Sequence, residues 1–246
     1  MQYYKVIKQF LKNNHEVTTE NINRFLLEKK IATYKFAFFH FLKFLGMDLE
    51  YKDILKIKRT PKKRMGVYLD REKLMGLINM IVDDGYRIVA IIQNLTGSRS
   101  QDVLSLRRDK VEIKPDGITL HLLVKGMREH IVLIPFPEAQ RILDFITDKG
   151  DYPFLRGKQT NLTKWVNNNY RHYYDAVKEA SRIVGVPEFS THDFRRNFAT
   201  DVYKGTNDLF LVKMLLGHSS IETTAGYLQQ IQKEEASKKA IEDFRR

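Results

Sequence analysis

Two stretches in the last quarter of the chain decide its reading. Thr191-His192-Asp193-Phe194-Arg195-Arg196-Asn197-Phe198-Ala199-Thr200 is followed by Leu216-Gly217-His218-Ser219-Ser220-Ile221-Glu222-Thr223-Thr224-Ala225-Gly226-Tyr227. They bring two imidazoles, a guanidinium and a phenol into an order that can converge on one phosphate. Two upstream motifs complete the group: Thr96-Gly97-Ser98-Arg99 and Val124-Lys125-Gly126.

A phosphodiester under attack spreads negative charge over its non-bridging oxygens, and two arginines can oppose that charge through bidentate contacts. Arg99 and Arg195 are the candidates. Ser98-x-x-Gln101 resembles a capping box, which places Arg99 at an electropositive helix N-terminus. Ser190-Thr191 reads as a cap that puts Arg195 in the first turn of another helix. Tyr227 suits the nucleophile, because a phenol with a pKa near 10 leaves again as readily as it attacks. His192 can accept the phenolic proton, His218 can donate to a non-bridging oxygen, and Lys125 can protonate the departing 5′ oxygen. Taken singly, each residue has a plainer reading. The arginines would be surface ion pairs, Lys125 a solvated hairpin tip, His218 a helix-end residue and Tyr227 one of 12 tyrosines. The carboxylate and second-histidine spacings of common hydrolytic metal sites are missing, so no metal and no nucleotide cofactor is expected.

Composition agrees with a polyanionic partner. The 246 residues carry a formal net charge of +12, which favours nucleic acid first and an acidic membrane surface second. The membrane reading lacks an amphipathic basic helix or a lipidation motif. Met1-Gln2-Tyr3-Tyr4-Lys5 is no start for a signal peptide, and no run is long and apolar enough to span a bilayer. The expectation is a cytoplasmic, nucleoid-associated protein. The absence of cysteine excludes disulfides, thiolate catalysis and cysteine-based zinc sites.

Periodicity predicts a mainly α protein with a small antiparallel β-sheet, an α+β chain. Tyr3, Val6, Ile7, Phe10 and Leu11 recur at helical spacing, Thr19 caps a second helix, and 33–45 is an aromatic third whose rings read as core. Residues 1–58 therefore form a small helical domain. A basic linker follows at 59–66, within a stretch where Lys56, Lys58, Arg59, Lys62, Lys63 and Arg64 have the composition of a chain crossing a DNA backbone. The larger domain, 67–246, opens with helices capped at Asp70 and running over 86–95. A meander comes next: 111–113, the turn Pro115-Asp116-Gly117, 118–124, the turn Lys125-Gly126, and 130–134. Helices return at 138–145, 162–184, 193–204 and 208–216, with Gly205 and Gly217 at C-cap positions. Lys164, Asn167, Asn168, Asn169, Arg171 and His172 are nominated to face DNA, by base edge or phosphate, and Trp165 reads as core.

The four motifs resemble those of the tyrosine recombinases, the integrase/Xer class, over 69–227. Thr96-Gly97-Ser98-Arg99, with Asp102 after it, resembles the first arginine motif, and Val124-Lys125-Gly126 the catalytic-lysine turn. The two late stretches resemble the His-x-x-Arg box and the second-histidine and nucleophile box. The one departure is Arg196, where many members carry another histidine. The resemblance implies a catalytic domain of the DNA breaking-rejoining type, preceded by a core-binding domain that clamps duplex DNA. It further implies a 3′-phosphotyrosyl link at Tyr227, strand exchange through a Holliday junction, and a tetramer on DNA from protomers that are monomers or dimers off it. The tail after Tyr227 would dock on a neighbouring protomer. Two other readings stay open: a type IB-like topoisomerase, and an accessory protein that binds DNA without cutting it.

Overall fold

The computed structural model describes residues 2–29, 32–47, 66–124, 128–218, 220–222 and 224–225. The chain divides into two compact units, Met1–Arg64 and Met65–Arg246. The first contains α1 (Gln2–Asn13), α2 (Thr19–Lys29) and α3 (Ala32–Phe44). Each helix contributes an apolar stripe to one small core of Val6, Phe10, Ile22, Phe25, Leu26, Ala37, Phe38 and Leu42. Phe10 lies edge-on to Phe25 at 5.5 Å and to Phe38 at 4.9 Å between centroids, the arrangement that aromatic quadrupoles favour. The expectation that all the rings of α3 are core fails for Phe36 and Phe44, which are 49% and 85% exposed. The six aromatics of that segment exceed one helical stripe, so some must point outward.

The second unit is built around α5 (Asp84–Thr96), whose Tyr86, Ile88, Val89, Ala90, Ile91 and Ile92 are buried almost all round. It packs against α4 (Arg71–Asn79), α6 (Ser100–Leu104), α7 (Glu138–Ile146) and α9 (Thr191–Thr206). The 23-residue α8 (Leu162–Val184) and α10 (Leu209–Leu216) belong to this unit as well. A three-stranded antiparallel sheet in the order β1 (Val111–Lys114), β2 (Gly117–Val124), β3 (Arg128–Pro135) covers one side of the core. Its inward face presents Ile118, Leu120, Leu122, Val132 and Ile134, all buried, while Ile131 and Leu133 face outward. Gly117 opens β2 because a Cβ there would sit 2.2 Å from the Ile134 carbonyl oxygen.

The entry into this unit is held by polar groups of α9. Asn197, fully buried, accepts from the Leu69 N–H and donates to the carbonyls of Val67 and Asp193. Asp193 accepts from the Val67 N–H and from the backbone and hydroxyl of Ser190. Asn197→Ala is expected to strand the Leu69 donor and the Val67 carbonyl, at about 1–3 kcal/mol for each group left unsatisfied. Urea unfolding should show a loss of about 3 kcal/mol or more, against about 0.5 kcal/mol or less for Asn167→Ala on the surface.

Helix ends correct one sequence expectation and meet another. Gly205 lies inside α9, and the left-handed cap residue is Asn207 at φ 52°. Gly217, at φ 62°, does cap α10. Among the described residues no helix is long and apolar enough to cross a membrane.

Candidate active site

The first arginine motif is the turn between α5 and α6. Gly97 ends α5 in the left-handed region, at φ 66°. A Cβ there would lie 2.4 Å from a Phe198 ring carbon and 2.7 Å from a Leu216 methyl, so conformation and space both call for glycine. Arg99 is itself the N-cap of α6 and Ser98 makes no capping box; its hydroxyl pairs with Thr96 Oγ1 at 2.8 Å instead. The Arg99 side chain is 42% exposed and stands 3.8 Å from the Asp102 carboxylate. Burial raises the Asp102 pKa, and the charges of Arg99 and Arg195 oppose that rise.

Buried Gln93 fixes this turn against its neighbours. Its amide donates to the Ser98 carbonyl at 2.9 Å and reaches Ser100 Oγ and the Thr191 carbonyl at 3.3 and 3.4 Å. Its carbonyl accepts from the buried Tyr173 hydroxyl at 2.7 Å. One side chain thus joins α5, α6, α8 and the start of α9, the helix that carries His192 and Arg195.

Arg195 stands in the second turn of α9 rather than the first, because Thr191 is already helical. Its side chain is only 2% exposed. One terminal nitrogen donates to the Gly97 carbonyl and the other to the Leu216 carbonyl, each at 2.6 Å. The guanidinium therefore bridges the Arg99 turn and the His218 turn, and its charge is desolvated where it can act strongly. His192 sits at the rim. Burial lowers its pKa, and Arg195 and Arg196 lower it further.

His218 follows the Gly217 cap and is 8% exposed. Its Nδ1 lies 2.8 Å from the hydroxyl of buried Thr224, which fixes the ring against the segment that leads to Tyr227. Burial first, then Arg195 and Arg99, bring its pKa down to about 4. An unfolded histidine takes up its proton near pH 6.5 and the folded one only near 4. The unfolded state therefore binds more protons between those values, and stability falls as pH drops through that window. The contribution of His218 is at most about 3 kcal/mol. Thermal unfolding followed from pH 7 to 4 should show the decline, and His218→Asn should reduce it.

A third imidazole, His130 on β3, shares this environment although the sequence motifs do not include it. Burial lowers its pKa, as do Arg195 and Arg99. The signal that could have found it is strand parity: His130 has the same inward phase as Val132 and Ile134.

Lys125 and Tyr227 lie outside the described residues, as do Lys56, Lys58, Arg59, Lys62, Lys63, Arg64 and the tail after Tyr227. Of the nominated DNA-facing residues, Lys164, Asn167, Asn168, Arg171 and His172 are exposed on α8, and Asn167 accepts from Gln101 beside the Arg99 turn. Asn169 is not one of them. It is 3% exposed and its amide is spent on Tyr86, Arg156 and the Trp165 carbonyl. Trp165 is partly buried and donates its indole N–H to the Arg156 carbonyl.

The chain resembles known proteins in sequence and in fold. The chain is 25% identical over 240 residues to tyrosine recombinase XerA of Pyrococcus furiosus, covering 92% of this chain and 81% of that one. It is 31% identical over 161 residues to tyrosine recombinase XerC of Bifidobacterium longum subsp. infantis, covering 60% and 44%. Its fold resembles the XerH site-specific recombinase in a post-cleavage complex with difH substrate, with a TM-score of 0.63, 20% identity and coverage of 89% and 70%. It also resembles a lambda integrase dimer bound to a COC' core site, with a TM-score of 0.62, 14% identity and coverage of 92% and 70%. The sequence profile of the phage integrase family matches residues 69–234, a span that includes Arg99, Arg195, His218 and Tyr227, and the chain belongs to that family.

Proposed function

We propose that the chain is a tyrosine-type site-specific DNA recombinase whose reaction runs through Arg99, Lys125, His192, Arg195, His218 and Tyr227. The observation that carries this reading is the Arg195 bridge. One buried cation ties the Arg99 turn to the His218 turn, so the groups that would meet a phosphate are held together before DNA arrives.

Arg99 and Arg195 take the non-bridging oxygens. Thr224 can donate its hydroxyl proton to His218 Nδ1, which leaves the proton of the neutral ring on Nε2 for the phosphate. The Tyr227 oxygen attacks phosphorus while its proton passes to neutral His192. The bond from phosphorus to the 5′ oxygen breaks, and Lys125 protonates that oxygen. The products are a 3′-phosphotyrosyl link and a free 5′ hydroxyl. Reversal with a hydroxyl from another strand rejoins the backbone, and no cofactor enters the balance. Exposed Lys164, Asn167 and Arg171, together with the basic stretch 56–64, supply the contacts to duplex DNA. Two bound sites and four protomers would form the assembly that exchanges strands.

DNA fragments captured covalently by the protein, with their junctions sequenced, would define the target site. Paired copies of that site should yield Holliday junctions. Relaxation of supercoiled plasmid without junctions would instead establish the topoisomerase reading, and binding without capture the accessory reading.

A further inference from the structure

His130 belongs to neither of the arginine boxes nor to the second-histidine box. It pairs with buried Leu122 across the β2–β3 ladder and enters the inward row of β3, otherwise made of Val132 and Ile134. Its ring reaches the end of α10. A Cβ placed on Gly217 would lie 3.3 Å from His130 Nδ1 and 3.4 Å from Cε1, so the Nδ1 edge faces the turn that precedes His218. The Leu215 backbone lies close enough to the ring to favour its protonated form, as a carbonyl acceptor does. Its Nε2 is buried without a hydrogen-bond partner, so the ring can engage this turn only through the Nδ1 edge that faces Gly217.

Burying an unpaired ring nitrogen costs about 1–3 kcal/mol. An apolar side chain would extend the Val132 and Ile134 row without that cost. The imidazole is therefore used for its polar edge. That edge meets the same turn that Arg195 grips from the other side through the Leu216 carbonyl.

We propose that His130 is a positioning residue for strand cleavage: through Nδ1 it holds the backbone of Leu215 and Gly217, and with it the His218 ring, in register with the hairpin strand that leads back to Lys125. The proposal rests on the reading of this site as a phosphodiester-cleaving centre. It makes His130 the link between the hairpin and the helix end, two elements that each supply one catalytic group.

The test is single-turnover cleavage of a nicked suicide substrate built from a captured target, together with DNA affinity and thermal stability. The native chain is compared with His130→Asn, His130→Gln and His130→Leu. An asparagine amide places its nitrogen where Nδ1 stands, whereas glutamine reaches toward Nε2. His130→Leu and His130→Gln are expected to cleave about ten-fold or more slowly at unchanged DNA affinity, because small misplacements of a catalytic group carry costs of that order. His130→Asn should recover to within about three-fold of the native rate. Cleavage by His130→Asn no faster than by His130→Gln overturns the proposal, and that comparison stands even where His130→Leu does not fold. Native-like cleavage by His130→Leu overturns it as well. Failure of the native chain to capture DNA overturns the cleavage reading itself, and this proposal with it.

Discussion

Tyr227→Phe is expected to abolish covalent capture of DNA. The substitution removes one oxygen and no other atom, so the ring and its packing are preserved while the nucleophile is lost. Single-turnover cleavage of a nicked substrate should fall to background, a loss of roughly 10,000-fold or more. DNA affinity should stay within about two-fold, because the phenol carries no charge at neutral pH and the phosphate contacts belong to other residues. Denaturing gels of the protein–DNA mixture would show the result directly. A shifted band that persists with the phenylalanine variant would assign the nucleophile to another of the 12 tyrosines.

Arg195→Ala is expected to damage both chemistry and fold. The side chain is buried and donates to two backbone carbonyls in separate turns. Its removal leaves the Gly97 and Leu216 carbonyls without those donors, at about 1–3 kcal/mol each. On the proposed mechanism it also removes one of the two guanidiniums opposing the charge of the transition state, which should cost roughly 100- to 1,000-fold in cleavage rate. Arg195→Lys separates the two roles. A single ammonium keeps the charge but cannot span two carbonyls with a planar fork. It should recover part of the thermal stability and leave cleavage strongly reduced, as melting curves and single-turnover rates would show.

Much of the fold is legible in the sequence because the cues are local. The meander follows from alternation around Pro115-Asp116-Gly117, and α8 from its long helical period closed by Gly185 at φ 70°. The arginine and histidine motifs likewise announce the family to which the chain belongs. What escapes is what tertiary packing decides. Asn169 looks like its exposed neighbours on α8, yet Tyr86 and Arg156, both distant in sequence, take its amide into the interior. Arg195 reads as a first-turn arginine aimed at a phosphate, and only its burial and the two receiving carbonyls reveal it as an internal tie as well. His130 is the instructive case. Its inward phase on β3 is visible in the alternation, but its use depends on Gly217, which lies on a separate helix and presents bare backbone to the ring.

The burial of Arg195 also divides the protein's sensitivity to ionic strength. Mobile ions screen exposed charges such as Lys164 and Arg171, and where these meet DNA phosphates as proposed, occupancy of the DNA should weaken steeply as salt rises. A guanidinium that is 2% exposed and held by two carbonyls is shielded from that competition. On the proposed mechanism, salt would govern how often the protein is on DNA, while the share of phosphate opening that falls to Arg195 would scarcely feel the surrounding electrolyte.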